Sequence, residues 1–231
     1  TSTTSTNDVV AARARAGEPA GLVVVADRQT AGRGRLARPW EDRPGGSLLV
    51  SCLVDTSPQP PDLTPLAAGL AVADAVRAAG ATPELKWPND MLVSGRKCAG
   101  ILVEAVRRGD EVRLVIGVGV NVDWGGASPP TGGTTLAEAT GRPVDRWQVL
   151  ADLLASLDRR LGELEREPGQ VPRDYAAVCT TLGRRVRVTL PSDEVVVGEA
   201  ARLDQQGALV IAVDGGEVTV RAGDVEHLRL A

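Results

Sequence analysis

Phenylalanine is absent from the sequence, and aromatic side chains are limited to four tryptophans and one tyrosine, so alanine, valine and leucine must build the interior almost alone. Histidine occurs once, at His227, which leaves no imidazole set for a zinc site. The three cysteines, Cys52, Cys98 and Cys179, are odd in number and lack metal-ligand spacing. Neither a disulfide framework nor a thiolate cage is encoded, and a reducing, cytoplasmic setting fits. No run approaches the roughly 20 apolar residues of a spanning helix, and the first residues show neither a basic region nor the apolar core of an export signal, so no membrane partner is expected. Basic charge is not in excess either: 26 Lys and Arg against 30 Asp and Glu leave a net charge of −4, which argues against a surface for duplex DNA. Any bound nucleotide must therefore be held by local chemistry.

What is present is an ordinary globular composition, 43% apolar and 24% charged over 231 residues, enough for one large domain or a large one with a small partner. Thr1 to Ala16 carries Asn7 and Asp8 as helix-cap candidates, then alternates small apolar residues with arginines up to Gly17, a helix pattern. Leu22–Ala26 and Leu48–Val54 are strand-like, and Thr64 with Pro65 forms an N-cap and N1 pair for a helix that Gly80 stops. Ile101–Val106 and Val112–Val122 flank Arg107-Arg108-Gly109-Asp110 as an antiparallel hairpin, followed by a Gly/Pro-rich loop over 125–133. Trp147, Leu150, Leu154, Leu157, Leu161 and Leu164 recur at steps of three and four, the clearest helix in the chain, ended by Pro168 and Gly169. From Gly183 onward short β-branched runs broken by Gln206-Gly207 and Asp214-Gly215-Gly216 suggest a small barrel or sandwich, with a domain boundary near Thr181.

Three segments carry chemistry. Gly32-Arg33-Gly34-Arg35 combines backbone that can approach a ligand closely with two guanidiniums, forked donors for carboxylate or phosphate; the same four residues also describe a solvated surface turn. They fit neither the Walker pattern nor the dinucleotide fingerprint. Lys86-Trp87-Pro88-Asn89-Asp90, with Lys97 and Gly100 beyond it, concentrates two ammoniums and a carboxylate around one turn, although Pro-Asn-Asp is also common turn chemistry. Gly117-Val118-Gly119-Val120-Asn121 interrupts an apolar strand with glycines, the mark of a bulge or of a close approach by ligand or backbone.

In this order and at these separations the three segments resemble the biotin protein ligase family, and the likeness extends over essentially the whole chain. The resemblance implies an α+β fold: a mixed, largely antiparallel sheet with flanking helices, like the catalytic domain of class II aminoacyl-tRNA synthetases, over 1–181, and an SH3-like β-barrel over 182–231. It implies a biotin pocket formed by Ser5, Thr6, Asn7, Gln29, Gly32, Arg33, Arg35, Lys97, Gly100 and Gly117. ATP and its adenylate would meet Arg33, Gly34, Arg35, Trp40, Lys86, Asn89, Lys97, Gly119 and Asn121, with Trp40 either on the adenine side or simply in the core. The catalytic groups implied are Lys97, Arg33 and Asp90, with ATP and biotin as substrates, Mg²⁺ accompanying them, and no protein-bound metal centre. Thr4 and Ala37 stand where glycine is common in the family, departures that remove no donor or charge.

The activity implied is attack of the biotin carboxylate on the α-phosphate of ATP, giving biotinyl-AMP, then transfer to a lysine of a biotin carboxyl carrier domain of acetyl-CoA, acyl-CoA or pyruvate carboxylase. Arg33, Arg35 and Lys97 would offset the charge of two meeting anions, and Asp90 would orient the incoming amine or take its proton. The chain opens almost directly at Ser5-Thr6-Asn7, without the DNA-binding domain of the members that also repress transcription, so no DNA partner is expected. A monomer or a homodimer fits. A lipoate protein ligase or octanoyl transferase, and a noncatalytic biotin sensor, are the competing assignments.

Overall fold

A computed structural model describes residues 1–56, 61–127, 129–130 and 132–228. Of the expected loop over 125–133, residues 128 and 131 lie outside that set, as do 229–231 of the C-terminal unit. In chain order the elements are β1 (Ser2–Thr3), α1 (Thr6–Arg15), β2 (Val23–Ala26), β3 (Arg28–Gln29), β4 (Ser47–Asp55), α2 (Thr64–Ala78), β5 (Pro83–Lys86), β6 (Asp90–Val93), β7 (Arg96–Arg108), β8 (Glu111–Asn121), α3 (Leu136–Thr140), α4 (Arg146–Arg166), α5 (Gln170–Val178), β9 (Arg185–Thr189), β10 (Val195–Leu203), β11 (Leu209–Val213), β12 (Gly216–Val220) and β13 (Asp224–His227).

Six strands pair in the order β2-β4-β8-β7-β6-β5, every contact antiparallel. The fold is therefore α+β with an antiparallel main sheet, as expected. Its centre is the β7–β8 hairpin, which runs without a break from Ala99↔Val120 to Arg108↔Glu111 and turns through Gly109 at φ +60°, a conformation glycine adopts without a Cβ clash. The period-two alternation of β4 and β8 divides the two faces. Leu48, Val50 and Cys52 with Ile116, Val118 and Val120 face a core shared with α2, α4 and α5. Leu53, Val115 and Val106 face α1, whose Val10 and Ala14 complete a smaller core on the opposite side. α2 is apolar on nearly every side because it is enclosed by the sheet, α4 and α5.

The C-terminal unit is a five-stranded antiparallel sheet, β12-β11-β10-β9-β13. Its outer strands β12 and β13 do not pair with each other among the described residues, so the expected barrel is an open sheet. It is joined to the main sheet by Trp87, whose indole Nε1 donates to Gly207 O at 3.1 Å, and by Thr181, whose hydroxyl accepts from Trp87 N at 3.0 Å and lies 3.1 Å from His227 Nε2.

Several local expectations are corrected. Ser5, not Asn7 or Asp8, is the N-cap of α1, because Asn7 is drawn inward by the buried Ser51 and by Glu104. A 3₁₀ turn over Pro61–Leu63 leads into α2, so Leu63 occupies the cap position, and the buried Thr64 Oγ1 has no partner among the described residues. Trp147 is 52% exposed beside Arg146 rather than on the apolar stripe, which starts at Val149.

Candidate functional site

The face of the main sheet that carries α1 changes character along its length. Under the body of α1 it presents Leu53, Val115 and Val106; beyond the N-terminus of that helix it presents Ser51, Gly117, Gly119 and Gly100. Side chains from the start of α1 and from the loop over 32–40 descend onto this stripped surface. Asn7 sits directly over Gly117, where a Cβ would stand 2.1 Å from its Oδ1. Trp40 covers the next two glycines: a Cβ on Gly119 would lie 2.5 Å from Trp40 Cε2, and one on Gly100 2.9 Å from Cζ3. These glycines are required by close approach and not by backbone torsion, since none has a positive φ.

One group of side chains is neutral and densely bonded. Gln29 Oε1 accepts from Thr6 N at 2.7 Å and from Thr6 Oγ1 at 3.0 Å. The buried Ser51 hydroxyl lies 2.7 Å from Thr6 Oγ1 and 2.6 Å from Asn7 Oδ1. Asn7 Nδ2 donates to Glu104 Oε2 at 2.6 Å. The amide of Asn7 and the hydroxyls are thus fixed in direction before any ligand arrives.

The second group is charged. A bulge places Cys98 as an extra residue of β7 opposite the Met91/Leu92 step of β6. Without it, Lys97 and Gly100 would point to opposite faces; with it, both serve the same face, and Cys98 is turned into the core. Lys97 Nζ then pairs with Asp90 Oδ1 at 2.6 Å and lies 5.6 Å from the centre of the Trp40 ring. Burial holds Cys98 up to about 12, so it faces the core as a neutral thiol.

The glycine-arginine segment folds back on itself, with Gly34 N donating to Arg38 O at 2.7 Å and Trp40 N to Gly32 O at 2.9 Å. Gly32 is required inside this loop, because a Cβ there would meet Trp40 O at 2.8 Å. Leu36 crests the loop at φ +54° and is 57% exposed. The two arginines differ. Arg33 is held by carboxylates, Asp8 Oδ1 at 2.5 Å and Glu104 Oε1 at 3.3 Å. Arg35 has no carboxylate partner among the described residues; its guanidinium donates to Gly223 O at 3.3 Å, and desolvation lowers its pKa from the ordinary arginine value. It remains a cation, because guanidinium does not deprotonate in proteins. Arg38 anchors the far end of the loop through a bidentate pair with Asp224, at 3.0 and 2.6 Å, which holds that carboxyl below the usual range.

Together these residues enclose a cavity of about 190 Å³. Of the residues singled out from the sequence, Ser5, Thr6, Asn7, Gln29 and Gly117 line it, as do Arg33, Gly34, Arg35 and Trp40, and Asn89, Asp90, Lys97, Gly100 and Gly119. Three do not. Gly32 is inside its own loop; Lys86, at the end of β5 opposite Asp90, stands beside the cavity without lining it; and Asn121, on the same face as Gly117 and Gly119, is covered by the 132–134 segment, donating to Thr134 O at 3.2 Å while its buried Oδ1 has no partner among the described residues. Sequence inspection overlooked Ser51, Glu104, Asp8 and Asp224. A serine in an apolar strand was a usable signal for Ser51; the three acids had none, since their roles depend on which strand or sheet folds beside the loop.

Residues 1–121 match the family model described as Biotin/lipoate A/B protein ligase family, and residues 181–228 that of the Biotin protein ligase C terminal domain. The chain is 40% identical to the Biotin--[acetyl-CoA-carboxylase] ligase of Mycobacterium tuberculosis, over 98% of this chain and 87% of that protein. It is 32% identical to the Bifunctional ligase/repressor BirA of Bacillus subtilis, covering 90% of this chain and 66% of the relative. Among solved structures it is similar to the biotin protein ligase from Aquifex aeolicus in complex with biotin and ATP, with a TM-score of 0.84, 28% identity and coverage of 99% and 97%. The biotin protein ligase from Leishmania major in complex with biotinyl-5-AMP aligns at TM-score 0.59 and 27% identity, over 99% and 96% of the two chains.

Proposed function

The chain belongs to the biotin/lipoate A/B protein ligase family, and from that premise we propose that it is a biotin protein ligase, activating biotin with ATP as biotinyl-AMP and transferring it to a lysine of a biotin carboxyl carrier domain. The observation that carries this is a single cavity in which a neutral hydrogen-bonding pocket, Thr6, Asn7 and Gln29, oriented from beneath by the buried Ser51, adjoins the cations Lys97 and Arg35 across a glycine floor. The neutral end suits the polar ring of the vitamin, and the charged end suits the meeting of a carboxylate with a triphosphate. Relatives named for biotin, together with a matching ligase C-terminal domain, favour biotin over lipoate.

In the first step a carboxylate oxygen of biotin attacks the α-phosphorus, a C–O–P bond forms, and pyrophosphate leaves. Lys97 and Arg35 reduce the repulsion between the anions and stabilise charge growing on the phosphate oxygens. Arg35 is the stronger contributor, because the charge of Arg33 is already offset by Asp8 and Glu104. Mg²⁺ would enter with the nucleotide as part of the substrate and would offset part of the phosphate charge. Trp40, resting on Gly100 and Gly119, offers an apolar surface for the adenine. In the second step the carrier lysine, a non-nucleophilic ammonium at neutral pH, gives up a proton and attacks the acyl carbon, releasing AMP; Asp90 orients or deprotonates it. The loop over 32–40 covers the adenylate against water until that amine arrives. A cytoplasmic setting, with ATP and a carboxylase carrier at hand, accords with three cysteines that are free and buried.

Exchange of labelled pyrophosphate into ATP tests the proposal. Exchange is expected with biotin and not with lipoate; exchange with lipoate alone, or none with either, refutes it.

A further inference from the structure

We propose that Glu104 is a positioning residue of this site, holding Asn7 of the vitamin pocket and Arg33 of the loop as one unit, an inference that rests on the function proposed above. Glu104 lies on β7 four residues beyond Gly100, on the same face of the sheet. One of its oxygens, Oε2, accepts from Asn7 Nδ2 at 2.6 Å and stands 3.5 Å from Arg33 Nη2, while Oε1 lies 3.3 Å from Arg33 Nη1. Asp8, the next residue on α1, also holds Arg33, at 2.5 Å, but among the described residues its carboxylate makes no hydrogen bond to the Asn7 amide. Among the described residues, Glu104 is the side chain that bonds both the Asn7 amide and the Arg33 guanidinium.

The bridge has two consequences. By accepting from Nδ2, together with Leu102 O at 3.4 Å, Glu104 commits the amide of Asn7 to one orientation and leaves Oδ1 for Ser51. Reversing that amide would set its oxygen against a carboxylate. The second consequence is electrostatic. A carboxylate at the rim of a site for a carboxylic acid and a triphosphate opposes both substrates unless its charge is met, and Arg33 meets it. The same contact restrains the loop, so retention of the adenylate depends on a residue that need not touch it. Glu104 is 34% exposed at its side chain and bonds only to residues of the site, so its loss is expected to spare the fold.

Two substitutions separate the two consequences. Glu104→Gln keeps an acceptor for Asn7 and removes the charge; Glu104→Ala removes both. Biotin affinity is measured by calorimetry, and adenylate release by dilution into excess unlabelled biotin and ATP, at low and high salt. The Gln variant is expected to release the adenylate about two- to fivefold faster at low salt, the range of an exposed ion pair, with biotin affinity unchanged. The unaltered protein should approach that rate at high salt, where the pair is screened. The Ala variant should in addition bind biotin roughly 10- to 150-fold more weakly, the scale of a lost hydrogen bond to a charged group. Retention and affinity equal to the unaltered protein in both variants, or an equal, salt-independent loss in both, overturns the proposal. If the unaltered protein forms no adenylate from biotin and ATP, the function itself is overturned and this inference with it.

Discussion

Gly117→Ala and Gly119→Ala each place one methyl group on the same face of β8, two positions apart, yet the methyls meet different neighbours. At position 117 the new Cβ would stand 2.1 Å from Asn7 Oδ1 and 2.8 Å from its Cγ; at 119 it would stand 2.5 Å from Trp40 Cε2 and 2.7 Å from Cζ2. Neither contact can persist, and neither partner is the loose end of a flexible chain. Asn7 is pinned by Ser51 and Glu104, and Trp40 by its backbone bond to Gly32. Overpacking of this kind costs about 1–3 kcal/mol, which corresponds to roughly 5- to 150-fold in the affinity of whatever ligand needs the displaced group. Gly117→Ala should therefore weaken biotin and leave ATP binding within a few-fold of the unaltered value, whereas Gly119→Ala should weaken ATP and spare biotin. Calorimetry with each ligand separately gives the four dissociation constants. If the two variants lose the same ligand to the same extent, the division of the glycine floor into a vitamin half and a nucleotide half is wrong.

Ser51→Ala removes the hydroxyl that Asn7 Oδ1 and Thr6 Oγ1 share, and leaving such buried groups unpaired costs about 1–3 kcal/mol. Biotin affinity should fall by roughly 5- to 150-fold with little change in ATP affinity, and an unchanged biotin isotherm would refute the assignment of that group. Arg35→Ala should slow adenylate formation and accelerate adenylate loss more than Arg33→Ala does, since Arg35, unlike Arg33, makes no ion pair among the described residues; equal effects in single-turnover assays would argue against it. His227 is held down to about 4 by burial and by the nearby Lys86 and Arg184. The unfolded chain, with an ordinary histidine pKa of about 6.5, takes up the proton first as pH falls, so this residue's contribution to stability is complete above that value, declines toward pH 4, and is level below it. Denaturant titrations of unaltered protein and His227→Asn should diverge over that window; parallel curves would contradict it.

The elements with long uninterrupted patterns were legible in the sequence. The alternation across 112–122 and the three-and-four spacing from Leu150 to Leu164 each appear where expected. Two helices were hidden for physical reasons. α5 contains Pro172, which tells against a helix when read locally but falls within its first turn, where the missing N–H costs nothing. α3 is only five residues long, too short for a periodic signal, and is held by Thr135, which accepts from Glu138 N at 3.0 Å. The β5–β6 hairpin is concealed because Lys86-Trp87-Pro88-Asn89-Asp90 has the residue types of a single turn, whereas Lys86 and Asp90 are paired strand ends joined by the three residues between them.

For the site, the legible part is what a residue type alone demands, and the illegible part is direction. Glycines at 100, 117 and 119 announce a close approach without saying by what; Asn7 and Trp40 supply the answer only after α1 and the 32–40 loop have folded over β7 and β8. Lys97 shows the limit most clearly. Counting in twos from Gly100 assigns Lys97 to the opposite face of β7, toward the apolar core shared with α2, where an ammonium would be prohibitively costly to bury unpaired. The single extra residue at Cys98 reverses that assignment, sending a small apolar thiol inward and the charge outward to Asp90. A lysine with nowhere to go on a regular strand is thus a sequence-level argument for a bulge, and the chemistry of the cavity depends on that one irregularity in β7.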